Sequence, residues 1–344
     1  MTDIQHEGVR VSTDEGASGP SVLSPGGTHP GSDGSGRLDH RDGVIANRAK
    51  TTRVVDARVS VWRRLTELWG SRELLVFLVR KEIKVKYKNS VLGLLWSLLN
   101  PLLTLLIYVV VFQVILGNNI PDFALFLFSG LLVYNLFQTG ILSGTGAVVD
   151  NGSLVKKVAS AREVLPLASV GTSFMFFVFQ SVVMILFLVG FHRAPDWSQL
   201  WLLIPALASL LVFSGALSVF LSAVTVYLRD IRHLMEVLLT LWFWAVPVVY
   251  AYASISAKMR EHHIPTILYL ADPLAPLVLT FQRVLYNKTS FVAKGAASAT
   301  QLLPTRGPMW FLAADMVVFV ASVVLFVGAM AVFVRLEGNF AEEL

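Results

Sequence analysis

The chain contains no cysteine in its 344 residues, so it can build neither a disulfide framework nor a zinc-thiolate site and offers no thiol nucleophile. Charge is scarce as well. Only 15% of the residues are Asp, Glu, Lys or Arg, against roughly 25% in a soluble globular domain, and 55% are hydrophobic. Several chemical signatures are missing too: there is no GxxxxGK[ST] stretch to cradle a nucleotide phosphate, no HExxH and no GxSxG. The glycine-containing run GILSGTGAVVD (140–150) lacks the lysine that nucleotide binding would need. His262 and His263 sit in a polar loop and read as solvated side chains. Enzymatic chemistry, a metal site and a bound cofactor therefore have no visible carrier. The N-terminus shows no apolar core followed by a small-residue cleavage site, so the first apolar helix reads as an uncleaved topogenic element. The basic residues gather near membrane entry points instead of forming a stripe, which excludes nucleic acid as a partner.

What the sequence does have is six apolar runs, at about 91–116, 122–149, 168–191, 200–228, 234–253 and 309–334. Each is about long enough to cross a bilayer as a helix, which needs roughly 20 residues. The expected fold is all-α: a polytopic membrane protein with six transmembrane helices. Residues 1–60 include the Gly, Ser and Pro-rich stretch GASGPSVLSPGGTHPGSDGSG and read as a disordered cytoplasmic tail. Residues 61–90 place Val76, Val79, Ile83 and Tyr87 on one helical face and Arg80, Lys84 and Lys88 on another, the pattern of an amphipathic helix lying on the membrane surface. A plain basic flank to the first span is the alternative. Residues 91–336 form the transmembrane domain and 337–344 a cytoplasmic C-terminal tail. Basic residues in the N-terminal cluster, the 150–166 loop, the 229–233 turn and at Arg335 place both termini in the cytoplasm. The apolar stretch 262–287, interrupted by Pro265, Pro273 and Pro276, predicts short re-entrant or interfacial helices before the last span.

Within this frame three groups of residues stand out. Lys81, Lys84, Lys86 and Lys88 are placed to attract acidic headgroups, although membrane anchoring explains them equally well. Arg229, Asp230, Arg232 and Glu236 form either an ion-paired cytoplasmic latch or a simple helix stop. Tyr108, Phe112, Tyr134, Phe137, Trp242, Trp244 and Tyr250 are suited to stack on sugar rings along a path, with interface anchoring or lipid-facing packing as the alternative for each ring. Midspan ionisable residues are lacking in the first five runs, with Asp315 near the start of the sixth, so coupling to protons or sodium has little to work with. The stripe Ser214, Gly215, Ser218 and Ser222 signals close helix packing.

The segments KEIKVKYKNSVLGLLWSLLNPLLTLLIYVVVF (81–112), NGSLVKKVASAREVLPLAS (151–169) and VYLRDIRHLMEVLLTLWFWAVPVVY (226–250), with the tail RLEGNFAEEL (335–344), resemble the permease subunit of bacterial ABC exporters for lipid-linked polysaccharides. That family includes O-antigen, teichoic acid and galactan exporters, and the similarity covers about residues 65–344. The resemblance implies a homodimer that recruits two copies of a cytoplasmic ATPase subunit, which binds ATP and Mg. It implies ATPase contacts on the N-terminal helix and the first cytoplasmic loop, here Glu73, Glu82, Asn151, Lys156, Lys157 and Arg162. It implies a plasma-membrane location and a substrate carried on undecaprenyl pyrophosphate. A permease for a small lipid or drug, a secondary transporter and a non-transporting membrane scaffold are the competing readings.

Overall fold

The computed structural model describes residues 66, 68–88, 90, 93–118, 120–157, 162–292 and 299–344. The expected N-terminal tail, the start of the 61–90 segment and residues 91 and 92 lie outside the described residues. The helices are α1 (Arg72–Lys86), α2 (Trp96–Tyr108), α3 (Phe123–Asp150), α4 (Gly152–Lys157), α5 (Val164–Gly190), α6 (Leu203–Tyr227), α7 (Ile231–Ala245), α8 (Tyr252–Glu261), α9 (Ile267–Leu270), α10 (Leu274–Phe281), α11 (Pro308–Leu336) and α12 (Phe340–Glu343). A short antiparallel hairpin, β1 (Ser290–Val292) with β2 (Ala299–Gln301), precedes α11 and was not foreseen from sequence.

Among the described residues, five helical stretches are long and apolar enough to cross a membrane: Trp96–Ile115, Phe123–Asp150, Val164–Gly190, Trp197–Tyr227 and Pro308–Asn339. The chain is an all-α polytopic membrane protein. The expected membrane-length helix at 234–253 differs. It is realised as α7, whose 15 residues reach about 22 Å, short of a hydrocarbon core of roughly 30 Å. The cause is Pro247, which lacks an amide hydrogen and forces the preceding residue out of the helical region. Val246 is accordingly extended, at φ −86 and ψ 145.

In lipid, apolar side chains gain little by leaving the tails, so helices associate through close packing and hydrogen bonds. α3 is the centre of that packing. Its most apolar stretch is 78% buried, whereas that of α2 is 6% buried, which makes α3 the hub and α2 the peripheral span. Glycine lets the backbones meet: a Cβ at Gly144 would stand 2.5 Å from the Ser218 Oγ of α6. Ser218 uses that proximity to donate to the Gly140 carbonyl at 3.1 Å. α11 lies along α6, and Asp315 joins three elements: its carboxylate accepts from Thr280 of α10 at 3.0 Å, and its carbonyl accepts from Ser209 of α6 at 3.0 Å. α10 is thereby fixed inside the bundle, buried along its whole length.

α2 is irregular. Pro101 removes one rung of its ladder, and from Val109 to Ile115 the helix continues with wider π-type turns.

Replacing Gly144 with Ala should lower thermal stability by about 1–3 kcal/mol, the usual cost of overpacking a tight contact. Gly328, which has nothing within 4 Å of a built Cβ, should tolerate Ala without loss; thermal unfolding of the detergent-solubilised protein compares the two.

Candidate functional site

The site is a polar cleft bounded by α1, α2, α3 and α5. Two adjoining cavities of about 390 Å³ and 450 Å³ share Lys86, Thr139, Ser173 and Phe176. One extends along α2 past Ser97, Asn100 and Thr104 to the Asn135–Gln180 pair, in which the Asn135 amide donates to Gln180 Oε1 at 3.0 Å. The other reaches the end of the bundle that carries α1, where Lys81, Glu82, Asp150, Asn151 and Arg232 line it. Polar side chains this deep in apolar helices are costly unless they hydrogen-bond one another or face water, and the cleft supplies both conditions.

The α1 wall is built by helical spacing. Leu78 is buried, and Val79 packs against α5 at Gly171, where a Cβ would come within 2.9 Å of Val79 Cγ2. Glu82, one turn on, accepts from Thr172 Oγ1 at 2.8 Å and Ser169 Oγ at 3.2 Å, both on α5. Lys86, another turn on, places its ammonium 4.7 Å from the centre of the Phe176 ring. Partial burial pulls the Lys86 ammonium below the ordinary lysine value, and Glu82 opposes that shift. Lys81 donates to Asn151 Oδ1 at 3.4 Å. All four lysines are exposed, yet they separate by position: Lys81 and Lys86 line the cleft, while Lys84 and Lys88 do not.

Arg232 pairs with Asp150 at 3.3 Å and lines the cleft mouth. That partner lies on α3 and not within the 229–236 group. Arg229 and Asp230 sit exposed at the turn between α6 and α7, and Glu236 lies 3.7 Å from His233. The mouth therefore carries three cations, Lys81, Lys86 and Arg232, against two carboxylates, Glu82 and Asp150.

Of the residues carried over for ATPase contact, Glu73 and Lys156 are exposed. Glu82 is engaged with α5, Asn151 donates to the Ala147 carbonyl at 2.9 Å, and Arg162 donates to the Glu337 carbonyl at 2.8 Å. Lys157 closes α4. The tail after α11 is not loose: Phe340 is fully buried against Phe333 and Tyr227.

Six of the seven aromatic residues, with Phe243, form one cluster where α2, α3 and α7 meet, and Tyr250, beyond the end of α7, reaches it by a hydrogen bond. Tyr108 stacks on Phe243 with centroids 5.6 Å apart, Phe112 lies beside Trp244, and Phe137 meets Trp242 edge-on at 5.1 Å. Tyr134 and Phe137 are buried, and the Tyr134 hydroxyl donates to the Leu239 carbonyl. Trp242 donates to the Asp272 carboxylate at 3.1 Å, Tyr250 donates to the Trp244 carbonyl at 2.8 Å, and Trp244 is exposed.

Sequence reasoning missed a cluster at the end opposite α1. Arg193 and Lys288 both approach Asp122 Oδ2 at 2.8 Å, and Tyr286 donates to the Pro121 carbonyl at 2.6 Å. Burial works against the Asp122 charge, but Lys288 and Arg193 outweigh it and hold the carboxyl below its ordinary value. The three residues are too far apart in sequence to signal one another. No group of His, Cys, Asp or Glu able to hold a metal occurs among the described residues.

The profile of the ABC-2 type transporter family matches residues 73–274, which run from α1 to the start of α10 and enclose the whole cleft. The chain belongs to that family. Among curated relatives, an O-antigen export system permease protein RfbA of Myxococcus xanthus is 33% identical over 282 residues, covering 82% of this chain and 99% of the relative. Two proteins of the same name from Klebsiella pneumoniae are 32% and 30% identical, covering 62% and 63% of this chain and 81% and 82% of theirs. This ABC-2 family member thus has its cleft, with the basic mouth, inside the part that the family shares.

Because the chain has no cysteine, paired thiols can report the α1–α5 contact cleanly. Val79→Cys with Gly171→Cys should form an intramolecular disulfide under mild oxidation, seen as protection from thiol labelling. Two fully labelled thiols after oxidation would mean that α1 does not form the cleft wall.

Proposed function

We propose that this chain is the permease subunit of an ATP-driven exporter that moves a lipid-linked polysaccharide across the bacterial plasma membrane, and that the cleft receives the phosphate-bearing end of that substrate. The carrying observation is the cleft itself: a polar passage along α2, α3 and α5 whose mouth has an excess of cations. An acidic diphosphate is attracted to such a mouth, while the hydroxyl and amide side chains beyond it offer the exchangeable hydrogen bonds a glycan uses. The relatives, all O-antigen export permeases by name, point the same way.

On this reading the end carrying α1 is cytoplasmic, as the positive-inside rule favours, and both termini lie there. α1 lies at the membrane surface with Phe77, and Trp69 just before it, both exposed and turned to lipid or to a partner. α7 with the bend at Pro247 serves as the fifth span, and α8 to α10 form the re-entrant segment, a broken backbone shielded by protein. Two copies pair, and two copies of a separate ATPase subunit bind ATP and Mg and supply the free energy. Glu73 and Lys156 are the accessible contacts for that subunit. Glu82, Asn151 and Arg162, which already hold other parts of the permease, pass its movement inward to the cleft. Arg232, tied to Asp150, joins α7 to α3 and acts as the latch. The aromatic cluster supports the wall through which sugars pass.

Depleting the protein should leave a completed lipid-linked polymer on the cytoplasmic face of the membrane; an unchanged distribution of glycan between the two faces would refute the assignment. Lys81→Glu with Lys86→Glu should reduce export by about tenfold or more, because unit charges about 4 Å apart near a protein surface interact by up to ~4 kcal/mol. Lys84→Glu with Lys88→Glu should have a smaller effect. Export assayed in a depletion strain carrying each variant separates the two pairs.

A further inference from the structure

A third cavity, of about 570 Å³, lies between α5 and α6 at the end opposite α1, and the proposed transport path makes no use of it. Phe177, Met184, Leu188, Leu203 and Leu207 form its apolar walls. It opens sideways where Ile185 and Val189 are exposed, so in a bilayer its mouth meets hydrocarbon and not water. The single charged residue lining it is Arg193, at the rim beside Trp197, a residue 72% exposed. Arg193 gives one guanidinium nitrogen, Nη2, to Asp122 Oδ2, and Lys288 occupies the same oxygen. Two cations thus share one carboxylate, and the Arg193 side chain remains 45% exposed with donors to spare. Asp196, the other carboxylate of this connection, accepts from Ser198 and Gln199 and does not line the cavity.

An apolar slot open to lipid tails and ending at an under-neutralised guanidinium matches a molecule with a hydrocarbon chain and an anionic phosphate. We infer that this groove is a binding site for an acidic phospholipid, with one acyl chain between α5 and α6 and its phosphate on Arg193. Arginine suits the role because its planar fork binds phosphate oxygens through several donors at once. A lipid held there bridges α5 and α6 and, through Arg193 and Asp122, reaches the start of α3. It also sits beside the contact in which the Asp196 amide donates to the Val284 carbonyl at 2.9 Å, which ties this connection to the segment after α10.

The test uses the full-length protein reconstituted in nanodiscs of phosphatidylglycerol or phosphatidylcholine, then transferred to detergent, with retained lipid measured by native mass spectrometry and thermal stability measured in parallel. The wild type should retain phosphatidylglycerol several-fold over phosphatidylcholine and melt at a higher temperature with it, as a ligand bound to the folded state requires. Arg193→Gln should abolish the preference and Arg193→Lys should keep part of it. Ser181→Phe, which fills the slot without touching the Asp122 cluster, should lose the retained lipid altogether and keeps the test decisive if Arg193→Gln fails to fold. Equal retention of the two lipids by the wild type, or retention undiminished in Ser181→Phe, would overturn the site. Displacement of phosphatidylglycerol by a polyprenyl phosphate at equal concentration would also overturn it, by assigning the slot to the glycan carrier instead.

Discussion

The contact between α3 and α6 at Gly144 and Ser218 is the constraint on which the rest of the bundle depends. In a bilayer the hydrophobic effect does not press helices together, so association comes from backbone proximity and the hydrogen bonds it allows. With no side chain at Gly144, Ser218 lies close enough to donate to the Gly140 carbonyl. Fixing α3 against α6 also fixes where α5 and α7 meet α3, and therefore the width of the cleft on the adjoining face of α3. Asp315 extends the same logic by holding α10 to α6 and α11 through Thr280 and Ser209.

The cleft shows how a chain poor in charge can still carry polar chemistry within the membrane. Its deep section uses neutral groups: Asn135 and Gln180 bond one another, and Thr104 and Ser173 donate to carbonyls of their own helices, without the cost of a buried ion. Ionised groups are confined to the mouth, where Glu82 is held by two hydroxyls and Arg232 by Asp150. Glu82 has two roles there: it fastens α1 to α5, and its negative charge favours the protonated, charged form of Lys86 against the effect of burial.

Much of this fold was legible in the sequence because hydropathy and helix length are local properties. The membrane-length helices and the Ser218 stripe can be read from residues a few positions apart. The fifth run extends past the helix it forms because hydropathy continues smoothly through Pro247, whereas the helical backbone does not. The site was legible only in part. Basic residues near 81–88 announce a headgroup or membrane surface, but whether Lys86 or Lys84 faces inward depends on how α1 rotates against Gly171. Glu82 with Thr172, Asn135 with Gln180, and Asp122 with Arg193 and Lys288 are pairings between distant segments of ordinary polar residues, and no local pattern marks them. The aromatic residues were legible as a group, yet composition does not distinguish Tyr134, buried, from Trp244, exposed.

One face of α2 deserves to be measured end to end. Ser97, Pro101, Thr104, Tyr108 and Phe112 follow helical spacing, the first three on the polar cleft and the last two in the aromatic cluster. Fifteen residue steps separate Ser97 from Phe112, a rise of about 22 Å at 1.5 Å per residue, before any adjustment for the wider turns after Tyr108. A hydrocarbon core is roughly 30 Å thick. A single helix that is buried at only one residue in its regular part, Leu105, thus lays down a strip that changes from hydroxyl-bearing to aromatic over most of the membrane's depth. Because α2 is also the least tightly held span, a small tilt about Pro101 would alter the clearance along that entire strip at once, so that width, and not chemistry, is the quantity this helix can vary.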